Sequence, residues 1–173
     1  MKPSLHFKFC PQCAAPAPQI DPDKSCVCHR CGFVYYFNPA IAAAAFVLAP
    51  DGQALFIRRA KEPAKGKLAL PGGFIDAGET AEGALRREII EEVNLELASL
   101  EYLSSHPNQY FYKDVTYPVL DLFFVAKVRD TAATAALDGV ESYSWLDPSR
   151  IDPSELAFPS MREAYAVFRR RFP

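Results

Sequence analysis

Residues 73–95 read GFIDAGETAEGALRREIIEEVNL. Leu85, Ile89 and Val93 recur every four residues, an apolar stripe that predicts a helix with one packed face. Thr80 stands where an N-cap is needed, Glu82 falls in the positively polarised first turn, and Asn94 suits the left-handed conformation that ends a helix. Gly83 costs such a helix about 1 kcal/mol against alanine and leaves room for another backbone to approach. Glu88, Glu91 and Glu92 stand at i, i+3 and i+4, so three carboxylates converge on one face. Like charges placed this way repel on a bare helix. A divalent cation reverses that sign, and oxygen-rich sets of this kind suit Mg²⁺ or Mn²⁺, which keep positions for water and substrate phosphates.

Taken as a whole, the pattern is Gly73, five residues, Glu79, seven residues, then Arg87-Glu88-Ile89-Ile90-Glu91-Glu92 and Leu95, preceded by Leu70-Pro71-Gly72. It resembles the signature of the Nudix hydrolases and departs from it at Asn94, where the family pattern has glycine. Asparagine is the next most tolerant residue for positive φ, so the turn is expected to survive. The resemblance implies an α/β fold, the Nudix α/β/α sandwich with a mixed sheet. It also implies an enzyme, a metal-dependent pyrophosphohydrolase acting on phosphorus-containing anhydrides. Within it Glu88 and Glu92 are the expected principal ligands of Mg²⁺ or Mn²⁺, with help from Glu91 and the Gly73 carbonyl. Arg87 is expected to orient Glu79 or the other glutamates through charge-assisted hydrogen bonds. Relatives often bring a further glutamate from a loop beyond the helix. The candidate is Glu141, four residues before Trp145, with Asp138 as rival.

A second constellation lies near the N-terminus. Cys10-Pro11-Gln12-Cys13 and Cys28-His29-Arg30-Cys31 are two Cys-x-x-Cys knuckles fourteen residues apart, a spacing that reads as structural zinc. Four thiolates close a tetrahedral site and leave no open position for catalysis. Cys26 is the surplus thiol; it can replace Cys28 only by losing the two-residue spacing to Cys31. The count of five cysteines is odd, no signal-peptide core follows Met1, and no run is long enough to span a membrane. A secreted disulfide framework is therefore the weaker reading, and a cytoplasmic location is expected. A redox Cys-x-x-Cys pair is disfavoured because no βαβ pattern surrounds either knuckle.

Length and composition suit this partition. A chain of 173 residues that is 50% hydrophobic supports one main domain and a small appendage. The expected division is a zinc ribbon over 1–36 and the Nudix domain over 37–173, the ribbon having too few large apolar side chains to fold without metal. In the main domain Ala40–Leu48 and Ala54–Arg59 read as strands joined at Pro50-Asp51-Gly52, and Val115–Val128 as a long strand through Asp121. Ser160 with Glu163 predicts a capping box for a C-terminal helix whose last turn carries Arg169, Arg170 and Arg171.

A zinc ribbon, then Tyr35-Tyr36-Phe37-Asn38-Pro39, then a Nudix domain is similar to the arrangement in NADH, FAD and ADP-ribose pyrophosphatases. A substrate with a nucleoside diphosphate linked to another moiety follows, with nucleoside monophosphate as product. Segment 104–112, SSHPNQYFY, keeps a serine, a proline and aromatics of the array that marks NADH pyrophosphatases but not the array itself. Arg58 and Arg59 are candidates for binding a phosphate oxygen, and Phe74, Tyr110, Tyr112 and Phe158 for stacking on a base. The formal net charge of -2 gives no basic footprint for nucleic acid, which weakens the alternative of a hydrolase of NAD-capped RNA ends. The intact glutamates weigh against a binding or adaptor module on an inactive scaffold. No membrane partner is expected, and a homodimer is left open.

Overall fold

The computed structural model describes residues 1–16 and 18–172, which divide into two compact units. The first comprises Met1–Ala40 and Gln109–Pro118. Its three short strands, β1 (Gln19–Asp21), β2 (Ser25–Val27) and β3 (Val34–Tyr36), form an antiparallel sheet in that order. Phe7, Tyr35 and Phe37 pack ring to ring at 5.1–5.5 Å between centroids. Buried Cys10, Ala15 and Cys28, with Cys13 and Phe33 against them, make a second small cluster. Neither amounts to a core able to repay the chain entropy of this many residues.

The second unit comprises Ile41–Asn108 and Val119–Pro173. The main sheet has seven strands and is mixed. They are β4 (Ala40–Leu48), β5 (Ala54–Arg59), β6 (Leu68–Ala69), β7 (Gly72–Phe74), β8 (Ser99–Tyr112), β9 (Val115–Lys127) and β10 (Val140–Leu146). The order is β10-β5-β4-β9-β8, with β6 on β5 and β7 on β4. Strands β4 and β5 occupy the spans their apolar runs predict, because both are buried on both faces along most of their length. Strand β8 has no such run: its burial alternates irregularly, with Leu103 and Asn108 buried among exposed polar residues.

Two helices complete the α/β/α sandwich. Helix α1 (Ala81–Val93) buries Leu85, Ile89 and Val93 completely, as the four-residue recurrence predicts. The Thr80 hydroxyl accepts the Gly83 N–H, and Asn94 closes the helix at φ 55°, ψ 42°, so asparagine does serve where the signature has glycine. Among the described residues, and apart from its own helix backbone, the atom nearest a Cβ added at Gly83 is the Thr80 hydroxyl oxygen at 3.1 Å. Helix α2 (Pro159–Arg171) stacks Phe168 on Phe46 at 4.3 Å and carries its three arginines in the last turn. It begins without the predicted capping box, since Phe158 is the N-cap and no side chain caps it. Ser160 is turned inward instead, 1% exposed, and donates to Asp121 at 2.5 Å.

Candidate active site and metal centre

Strand β7 and helix α1 bring the sequence motif together around Arg87. Its Nε and Nη2 donate to the two oxygens of Glu79 at 2.9 Å each, a bidentate pair that fixes both side chains. Nη1 reaches Glu88 at 2.8 Å and Glu91 at 3.2 Å, and Nη2 also reaches the Phe74 carbonyl at 3.2 Å. The Asp76 N–H adds a third bond to Glu79 at 3.0 Å. The Arg87 side chain and this N–H hold the Glu79 carboxyl down at about 2. Glu79 is thus a fixed anion at neutral pH and a poor proton acceptor. Its part is to orient Arg87.

Glu88 and Glu92 have the opposite electrostatics. Burial pushes Glu92 up to about 8, and its carboxylate accepts the Gly72 N–H at 2.8 Å. Burial raises Glu88 too, outweighing the Arg87 contact. Both lie against Gly72 and Gly73 at the start of β7. A Cβ on Gly72 would fall 2.2 Å from the Ala43 carbonyl oxygen, and one on Gly73 would fall 2.4 Å from the Glu88 carboxyl carbon. With φ at 142° for Gly72, glycine is required there on two counts. Two half-buried carboxylates whose protons burial retains, beside the backbone of β7, are a hard-oxygen donor set that fits Mg²⁺ or Mn²⁺. Glu91 is more exposed and paired with Arg87.

The remaining residues around this cluster arrive from β5, the following loop and β10. Arg59 donates to the Pro63 carbonyl at 2.8 Å, lies 5.1 Å from the Phe158 ring centroid, and is close enough to Glu92 to pull its carboxyl down. Arg58 is tied to the Gly66 carbonyl at 3.0 Å. Asp138 is engaged by Lys61 at 2.7 Å, a partner the sequence did not suggest. Glu141 sits at a register shift, with Val140 opposite Arg59 and Ser142 opposite Arg58. Such bulges re-aim a side chain, and among the described residues Glu141 is exposed with no hydrogen bond or ion pair. Phe74 is exposed on β7 and Phe158 is buried at the head of α2. Tyr110 and Tyr112 belong to the first unit, at the tip of the β8–β9 hairpin.

The four cysteines of the knuckles are brought together. The sulfurs of Cys10, Cys13, Cys28 and Cys31 all lie within 4.8 Å of one another, with Cys10–Cys31 and Cys13–Cys28 at 3.7 Å. A tetrahedron with metal–sulfur bonds of about 2.3 Å has an edge of about 3.8 Å, so the set fits zinc. The two loops are built alike. Ala14 N–H bonds the Cys10 carbonyl and Gly32 N–H the Cys28 carbonyl, while Cys10 and Cys28 donate to Ala15 and Phe33. Ala14 and Gly32 accordingly adopt positive φ. The backbone N–H of Cys31, followed by that of Arg30, holds the Cys28 thiol down at about 6. Cys26 is fully buried on β2, and burial raises its thiol; it stands outside the cluster.

A family model described as NUDIX domain matches residues 38–168. The NAD-capped RNA hydrolase NudC of Pseudomonas aeruginosa is 32% identical over 100 residues, 58% of this chain and 35% of that protein. The mitochondrial NAD(P)H pyrophosphatase NUDT13 of Homo sapiens is 35% identical over 98 residues, 57% and 27% of the two chains. The ADP-ribose pyrophosphatase of Methanocaldococcus jannaschii is 36% identical over 109 residues, 62% of each. The matches therefore span less than two thirds of these curated relatives' lengths. A crystal structure of a NUDIX hydrolase from Nitrosomonas europaea superposes with a TM-score of 0.70, covering 95% of this chain and 93% of that one at 22% identity. That last likeness is one of fold.

Proposed function

The chain belongs to the NUDIX family and is an enzyme acting on phosphoanhydride bonds, and on that premise we propose its substrate class and the parts its residues play. The substrate is a nucleoside diphosphate linked to another moiety, as in NADH, ADP-ribose or FAD, and nucleoside monophosphate is released. One observation carries the reading: the Arg87–Glu79 pair and the two glycines that begin β7 hold Glu88 and Glu92 as a partly desolvated acidic pair. An inactive scaffold has no need to keep two such carboxylates. The activities that name the NudC, NUDT13 and archaeal relatives all concern a diphosphate joined to a nucleoside, which supports the same class.

Glu88 and Glu92, assisted by Glu91 and the Gly73 carbonyl, would hold Mg²⁺ or Mn²⁺. When bound, such ions neutralise phosphate charge and make an attacking water more acidic. Arg87 keeps the glutamates aimed, because its bidentate grip on Glu79 leaves Nη1 for Glu88 and Glu91. Arg59, beside Phe158, supplies a cation for a substrate phosphate and Phe158 an apolar wall, with Arg58 and Phe74 at the margin. Glu141 accepts the proton of the attacking water. Asp138 is the poorer base, since Lys61 both occupies it and lowers its affinity for protons. Cys10, Cys13, Cys28 and Cys31 would hold a structural Zn²⁺ in the segment 1–36, apart from the chemistry of 37–173.

The test is a panel of NADH, ADP-ribose, FAD, a sugar nucleotide and NAD-capped RNA with Mg²⁺ or Mn²⁺, products weighed by mass spectrometry in ¹⁸O-water. AMP from the adenine dinucleotides is expected, with label in one of the two product phosphates. Cleavage of capped RNA alone transfers the protein to the decapping reading, which the NudC match favours. No diphosphate cleavage at all removes the proposal.

A further inference from the structure

Asp121 and Ser160 are a pair that the chemistry above does not use. Asp121 lies mid-strand on β9, and its partners Ser160 and Asn108 are 1% and 6% exposed. A buried serine and a half-buried carboxylate cost stability unless each bond is made. The Ser160 hydroxyl donates to Asp121 at 2.5 Å, and Ser160 lies inside its own helix, whose N-cap is Phe158. The segment just before it is secured on its other sides. Ala157 N–H bonds the Leu68 carbonyl at 2.8 Å, and the Arg162 guanidinium bonds the Leu156 carbonyl through Nε and Nη2 at 3.3 and 3.1 Å. Tyr165 ties the next turn to Pro148 and Ile151. Between these anchors stands Phe158, its ring 5.1 Å from the Arg59 guanidinium carbon.

We propose that Asp121 and Ser160 are positioning residues: their bond fixes the start of α2 on the sheet and thereby sets Phe158 against Arg59 at the substrate-binding side of the site. The inference rests on the proposed binding role of Phe158 and Arg59. A helix start tied to a strand by a buried bond, in place of a local cap, cannot drift along the sheet without exposing two polar groups to apolar surroundings. The position of Phe158 thus follows from the identity of residue 121, on a different strand from Arg59.

Ser160→Ala tests this. On the dinucleotide that the panel identifies, KM is expected to rise about tenfold with kcat within about twofold, since the glutamate cluster is untouched. Phe158→Ala should raise KM similarly, and the double variant no further than either alone, because both act through one ring. Asp121→Asn keeps an oxygen for the Ser160 hydroxyl and should shift KM less than Asp121→Ala. Amide exchange gives a second readout that needs no turnover. Exchange at Ala157 should quicken in Ser160→Ala while Leu85–Val93 keep their protection. An unchanged KM, additive effects of Ser160→Ala and Phe158→Ala, or unchanged exchange at Ala157 overturns the inference. Quickened exchange in a protein that cleaves no diphosphate supports the tether and refutes the functional reading alone.

Discussion

At the scale of single residues, opposite environments divide the four glutamates by task. Arg87 makes a fixed anion of Glu79, whereas burial leaves Glu92 holding its proton up to about 8. The unfolded chain releases that proton near 4.5, so between 4.5 and 8 the folded, metal-free protein binds more protons and loses stability as pH rises. Glu79 works in the reverse sense, stabilising above 4.5 and losing that contribution as pH falls toward 2. Without added divalent cation, the melting temperature should therefore decline from pH 5 to pH 8, and Glu92→Gln should flatten the decline; a parallel decline in Glu92→Gln sinks the account. Arg87→Lys keeps the charge but loses the two-pronged grip, and turnover should fall about tenfold or more with little change in melting temperature. These roles were partly legible in sequence, because spacing along a helix fixes which carboxylates share a face. The proton affinities were not, since they depend on the Gly72 N–H and on burial against β7, both set by tertiary contacts.

Elements differ in how openly they announce themselves. Strands β4 and β5 and helix α1 were readable to the residue or nearly so, because periodicity, cap and turn agree. Strand β8 was missed, since a long hairpin arm with mostly exposed residues carries no apolar alternation to read. The start of α2 was misread for a physical reason: a serine three residues before a glutamate suits a capping box, yet the pairing of Ser160 with Asp121 on another strand won. At the end of α1 the reading held, with Asn94 left-handed and its side chain bonded to the Ala133 carbonyl at 3.0 Å. Asn94→Gly should then be close to neutral in stability, the freer backbone offsetting the lost side-chain bond, while Asn94→Val should cost about 1–2 kcal/mol through the left-handed strain of a branched residue. Urea unfolding of the three proteins measures this. Equal stability of the valine and glycine variants would show that the left-handed turn is not what ends the helix.

For the whole molecule, the cysteine spacing marked four thiols that the fold brings together, but not which distant residues fold with them. The expectation was a ribbon over 1–36; the first compact unit is Met1–Ala40 together with Gln109–Pro118, the tip of the β8–β9 hairpin. Its link to the N-terminus is specific: the Met1 ammonium donates to the Asp114 carbonyl at 3.1 Å, and Thr116 N–H to the Met1 carbonyl at 2.9 Å. Nothing local in GlnTyrPheTyrLysAsp predicts a bond to residue 1, because the separation is 113 residues along the chain. With so little apolar burial of its own, this unit should depend on zinc, whereas Phe46, Leu85, Ile89 and Phe168 give the second unit a core without metal. Stripping zinc with a thiol-competing chelator should abolish amide protection over Cys10–Cys31 and at Thr116 together, and leave Phe46–Leu48 and Leu85–Val93 protected. Cys13→Ser should reproduce this, and Cys26→Ser should keep the metal. Protection at Thr116 that outlasts the loss of zinc would assign the hairpin tip to the second unit, and a collapse of both units together would mean that the metal supports the entire fold.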